Sequence, residues 1–100
     1  MIYLTQIIYI HPTAESSFNE FESIVIPSMT KYGGTMMLRV RPTPDGVIQH
    51  SIEIPYEIHI VSFETESGLT SYMQDPERKK FLYLKDQSVK VSYIYKGVQL

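Results

Sequence analysis

Apolar residues alternate or run together over strand lengths in five stretches of the chain, and they recur at helical spacing in two others. The first stretch, Ile2 to Ile10, is rich in β-branched and aromatic residues, the composition of a strand. One face reads Ile2, Leu4, Gln6, Ile8, Ile10 and the other Tyr3, Thr5, Ile7, Tyr9. Large apolar groups on both faces predict a strand covered on both sides. His11-Pro12-Thr13 ends it, with Thr13 as the expected helix cap. A helix is predicted from Ala14 to about Tyr32, because Phe18, Phe21, Val25 and Met29 fall on one stripe. Pro27 should kink or break it, and Gly33-Gly34 should stop it with a left-handed residue.

Thr35 to Arg41 alternates as a second strand, Met36, Leu38 and Val40 against Met37, Arg39 and Arg41. Pro42 to Gly46 reads as a turn. Val47 to Ile54 alternates again, which suggests a long hairpin. Tyr56 to Phe63 is the third strand, apolar on both faces. Thr65 or Ser67 should cap a second helix running through Gln74. Asp75-Pro76 restarts it, with proline suited to the first turn, and the segment continues through Phe81, Leu82 and Leu84. Val89 to Lys96 is the last strand.

The order β-α-β-β-α-β is that of the ferredoxin-like split unit: α+β, a four-stranded antiparallel sheet with helices on one face. One hundred residues suit a single domain, 1–100. Strands one and three should be central. Their second face carries Tyr, Ile and Val and would leave a larger apolar patch than a monomer usually tolerates. A homodimer packed through its sheet faces is the expected answer.

Charge and composition narrow the partners. The net charge is −2, and the chain has no cysteine. Nucleic-acid backbone binding needs clustered cations, and Arg78-Lys79-Lys80 follows Asp75 and Glu77, more in keeping with a solvated helix face. Aromatics that stack bases on a basic strand are missing too, so no nucleic-acid partner is expected. Disulfides and cysteine-based zinc sites are excluded. The apolar run Ile2 to Ile10 is too short to span a bilayer and lacks the basic flank of a signal peptide. The expectation is a cytoplasmic protein with no membrane partner.

Several residues together resemble a known family. Pro27 precedes Lys31-Tyr32-Gly33-Gly34, and a strand ending in Arg39 follows. The strand Tyr56 to Phe63 leads to a helix with Tyr72 and then Asp75-Pro76-Glu77. This is similar to the pattern of a functionally uncharacterised stand-alone family of dimeric α/β-barrel proteins. Tyr72 stands where that family usually has Trp, Arg78 where it usually has Tyr, and the loop Pro42 to Pro55 lacks its Glu-Gly turn. The wider superfamily implies a range of roles: cofactor-free monooxygenases on aromatic polyketides, haem-degrading enzymes, lactone isomerases, and binding or regulatory modules.

Candidate chemistry is sparse. None of the three histidines pairs with another at metal-ligand spacing, so no metal site is expected and no motif implies a cofactor. His59 lies mid-strand among Ile58, Ile60 and Val61. A buried imidazole needs partners, so it is either a hydrogen-bonded structural histidine, with Gln6 as one partner, or a pocket acid or base. Arg39 should answer Glu57 or Glu53, or else an anionic ligand. Tyr32, Tyr72 and Tyr93 either flank a pocket between helices and sheet or pack at core edges. Ser16, Ser17 and Ser28 lack the context of a nucleophile. Two readings follow: a pocket for a small apolar or aromatic ligand with Arg39 and His59 as polar anchors, or a non-catalytic dimerisation module with a filled core.

Overall fold

The computed structural model describes residues 1–100. The strands are β1 (Ile2–Ile10), β2 (Gly34–Val40), β3 (Glu57–Phe63) and β4 (Val89–Gly97), and they form one antiparallel sheet in the order β2-β3-β1-β4. The helices are α1 (Glu15–Ser28), α2 (Glu66–Met73), α3 (Pro76–Lys80) and α4 (Leu82–Ser88). They cover one face, giving two layers in a slab of 37 × 36 × 17 Å. Strands one and three are central, and the order is the ferredoxin-like one that the hydrophobic pattern predicts.

Local chemistry explains most boundaries. The α-helical part of the first helix ends one residue after Pro27, and the chain continues as a 3-10 turn, Met29–Tyr32. Gly33 stops that turn at φ 77° and donates its N–H to the Met29 and Thr30 carbonyls, a conformation that a β-branched residue resists. Gly34 is small for a different reason. A Cβ there would lie 2.6 Å from the Phe63 ring. Thr65 caps α2 by accepting from the Gly68 N–H at 2.9 Å, and Asp75 caps α3 by accepting from the Arg78 N–H at 2.9 Å.

Three local expectations are corrected. Thr13 is not the cap of α1. It takes a positive φ of 67°, and Ala14 holds the cap position with no side-chain bond. Val47 to Ile54 forms no strand. Ile48 is fully exposed and Ile52 largely so, and that alternation has no neighbouring strand to pair with. The segment runs instead as an arm, held where the Tyr9 hydroxyl donates to the Glu53 carbonyl at 2.7 Å and the Tyr56 N–H donates to the Ile8 carbonyl at 2.9 Å.

The third correction moves a candidate residue. The register of β2 against β3 shifts between Met36 and Leu38, so that Met36 opposes Val61, Leu38 opposes Ile60 and Arg39 opposes His59. The bulge adds one residue, and every later side chain changes face. Arg39 therefore shares the helix-covered face with Met36, not with Met37.

The core lies between helices and sheet. Phe21, Val25 and Met29 from α1 meet Val61 and Phe63 from β3, Tyr72 from α2 and Leu84 from α4. The other face has no covering layer in one copy of the chain. Leu38, Val91, Tyr93 and Tyr95 are exposed there, beside Ile7, Ile58 and Ile60.

Candidate functional site

Register builds the site. On the helix-covered face, Arg39, His59, Gln6 and Ile94 form one row across the four strands, each opposite the next. Glu57 follows one step along β3, two residues from His59. Its carboxylate is fully buried. It accepts from Arg39 Nε at 2.9 Å, from Arg41 Nε at 2.9 Å and from His59 Nε2. Burial alone would push this carboxyl up, but the bonds from His59, Arg39 and Arg41 outweigh it and bring it down to about 2. Glu57 is therefore ionised and can only accept. His59 must donate from Nε2, which leaves Nδ1 as the nitrogen with no protein partner.

Helix α1 places a second carboxylate above this group. Glu22 is 6% exposed and lies on the buried stripe between Phe18 and Val25. No side chain donates to it. Burial pushes it up to about 6, against the pull of His59, Arg39 and Arg78. The two carboxylates thus have opposite characters: Glu57 is a fixed anion, and Glu22 titrates close to neutrality.

Between helices and sheet lies a cavity of about 120 Å³. Apolar side chains make most of its wall, among them Leu4, Ile8, Phe21, Val25, Val61 and Leu69, and the polar exceptions are Gln6, Glu22, His59, Tyr72, Arg78, Lys85 and Ser92. For scale, an engineered apolar cavity of about 150 Å³ in another protein takes up benzene. Tyr72 is buried, and its hydroxyl donates to the Val25 carbonyl at 3.2 Å. The Arg78 guanidinium lies 5.3 Å from the centre of the Tyr72 ring.

Glu22, Glu57 and His59 offer three ligand atoms within 4.8 Å of one another, the only such group that could hold a metal ion. Both Glu57 oxygens already face guanidinium N–H groups. A divalent cation would lie beside two fixed positive charges, so the arrangement suits a mobile proton better.

The titration of Glu22 can be read from stability. Its native value, about 6, lies above the ordinary 4.5. The stabilisation from its neutral form is complete below about pH 4.5 and is lost as pH rises through 6. Glu22→Gln should gain about 2 kcal/mol at pH 8 and almost nothing at pH 4.5. Urea melts at the two pH values measure this, and an equal gain at both would refute the buried, titrating carboxylate.

No family model matches the sequence, and no curated protein matches it. Solved structures do. A protein of unknown function from Rhodopseudomonas palustris superposes with a TM-score of 0.83 at 13% identity, over 99% of this chain and 82% of that one. A DABB-family protein with a ferredoxin-like fold from Mesorhizobium loti gives 0.69 at 17% identity, over 99% and 96%. A Nitrosomonas europaea protein provisionally assigned as an antibiotic biosynthesis monooxygenase gives 0.76 at 7% identity, over 100% and 99%. The chain shares the ferredoxin-like fold of these structures.

Within that fold, the sequence-predicted residues separate. His59 and Tyr72 line the cavity. Arg39 does not. It is satisfied by Glu57, as one of its two readings held, and it stands behind His59. Glu53, its other candidate partner, pairs loosely with Lys90 at 4.0 Å instead. Tyr32 lies outside the cavity wall and donates to Asp75 Oδ2 at 2.5 Å. Tyr93 lies on the uncovered face, edge-on to Tyr9 at 6.3 Å, because its neighbours Ser92 and Ile94 take the helix side. His11 is exposed, far along β1 from Gln6, the residue opposite His59.

Glu22 and Arg78 are the charged cavity residues of most consequence that sequence reasoning did not place there. Glu22 stands four residues after Phe18 and three before Val25, so its place on the apolar stripe was readable from spacing. Arg78 was grouped with a solvated basic face, yet its Nε is buried and has no hydrogen-bond partner in the protein. No helix of the chain is long and apolar enough to cross a membrane.

Proposed function

We propose that this chain is a homodimeric small-ligand protein whose cavity takes a one-ring apolar or aromatic compound. The supporting observation is the cavity itself: a benzene-sized space with an apolar wall, into which buried Glu22 and His59 introduce proton-transferring groups. Pockets of mostly apolar lining with a few convergent polar groups are the usual form of small-molecule sites. Glu57 orients His59 by accepting a hydrogen bond from its Nε2–H, which leaves Nδ1 as the ring nitrogen open to a ligand. Arg39 and Arg41 act behind this pair by keeping Glu57 charged.

The uncovered sheet face supports the dimer. Tyr93 and Tyr95 are 50% and 61% exposed in one copy, and they continue across Ile7, Ile58 and Ile60 as one apolar surface. Two such sheets packed face to face would bury it, with the arm carrying Ile48 and Ile52 alongside. Cytoplasmic residence remains the reading that the sequence favours.

Toluene is the test ligand. Amide resonances of Phe21, Glu22, Val61 and Tyr72 should shift on titration, while light scattering reports about twice 11.6 kDa. Shifts confined to the Tyr93–Tyr95 face, or no shifts, would leave the interaction-module reading. A monomer mass would remove the dimer.

A further inference from the structure

Arg78 stands out among the cavity residues because its buried Nε has no acceptor and no carboxylate pairs with its charge. Buried donors are almost always partnered. The side chain is held in place all the same. Its backbone N–H is fixed by the Asp75 cap at 2.9 Å, and its guanidinium lies on the Tyr72 ring at 5.3 Å. The result is a positioned cation on the wall of an apolar cavity, with one buried donor unmet. Arg39 and Arg41, by contrast, are both paired with Glu57.

Resting on the pocket proposed above, we infer that the ligand is a one-ring aromatic compound bearing one anionic group, such as a carboxylate, which the Arg78 guanidinium binds while the ring fills the apolar space. A guanidinium and an oxyanion form a charge-assisted bond, stronger than a neutral one and stronger still away from water. The other titratable groups on the cavity wall are Lys85 from α4, His59 from the sheet, Tyr72 from α2 and Glu22 from α1. Two carboxylates oppose an anion there: Glu57, behind His59 and already paired with Arg39 and Arg41, and Glu22, whose neutral form removes its repulsion and adds a donor.

Benzoate and toluene are the paired probes, differing in the anionic group alone. In wild-type protein, benzoate should bind, and it should move the Arg78 Nε–H resonance to saturation, whereas toluene should bind without moving it. Arg78→Gln should weaken benzoate at least tenfold and leave toluene within twofold. If toluene binds but benzoate does not, or benzoate binds with the Nε–H resonance unmoved, Arg78 is served by water and the inference fails while the pocket stands. If neither probe binds, the pocket reading fails as well. Should Arg78→Gln lose its fold, the wild-type resonance decides alone.

Discussion

Glu57→Ala is expected to destabilise the protein by about 3 kcal/mol at pH 7. The carboxylate is fully buried and answers three donors at once, from Arg39, Arg41 and His59. Removing it strands those partners unequally. Arg39 and Arg41 are 35% and 47% exposed along their side chains and can turn to water, which keeps the loss at the low end for a broken buried pair. His59, at 2% exposure, cannot, and is left buried with an unmet donor. The pH dependence follows from the sign of the shift. A native value of about 2, below the ordinary 4.5, gives stabilisation that is present above about pH 4.5 and fades as pH falls through 2. The gap between wild type and variant in urea melts should therefore narrow from pH 7 to pH 3. A constant gap would mean that packing, not charge, explains the loss.

Phe21→Ala should cost about 3–5 kcal/mol. The ring is 4% exposed and belongs to the cluster of Val25, Met29, Val61, Phe63, Tyr72 and Leu84. Its loss removes apolar burial and also enlarges the adjacent cavity, which the strands below cannot collapse to fill. Phe21→Leu keeps most of the volume and should cost under about 1.5 kcal/mol. Guanidinium melts separate the two variants. A loss below about 1 kcal/mol for alanine would show that the stripe of α1 does not form the core.

Element order and helix faces were legible because they depend on local chemistry. Gly33 at positive φ, the Thr65 and Asp75 caps, and the spacing of Phe18, Phe21, Val25 and Met29 all announce themselves within a few residues. Features that depend on a partner strand did not. Alternation in Val47 to Ile54 looks like a strand, but pairing needs a neighbour that the topology does not supply. The face of Tyr93 follows from its register against β1, and the face of Arg39 from the bulge after Met36. Neither is written in the segment itself. That Arg39 needs a carboxylate was legible, because an arginine in an apolar strand requires one, but the choice of Glu57 over Glu53 was set by register. Glu22 was missed because attention to apolar residues passed over a polar one on their own stripe. Arg78 was missed because its two basic neighbours made the run look like surface.

Strand β3 carries His59 to the cavity side and Ile58 and Ile60 to the uncovered side, so a single backbone borders both. A compound in the cavity and a second copy on the open face would then act on the same seven residues from opposite directions. Where the proposed ligand and a second copy are coupled through this strand, the coupling is reciprocal: whatever factor the one adds to self-association, self-association returns to the affinity for the other, and binding would then vary with the concentration of the chain itself.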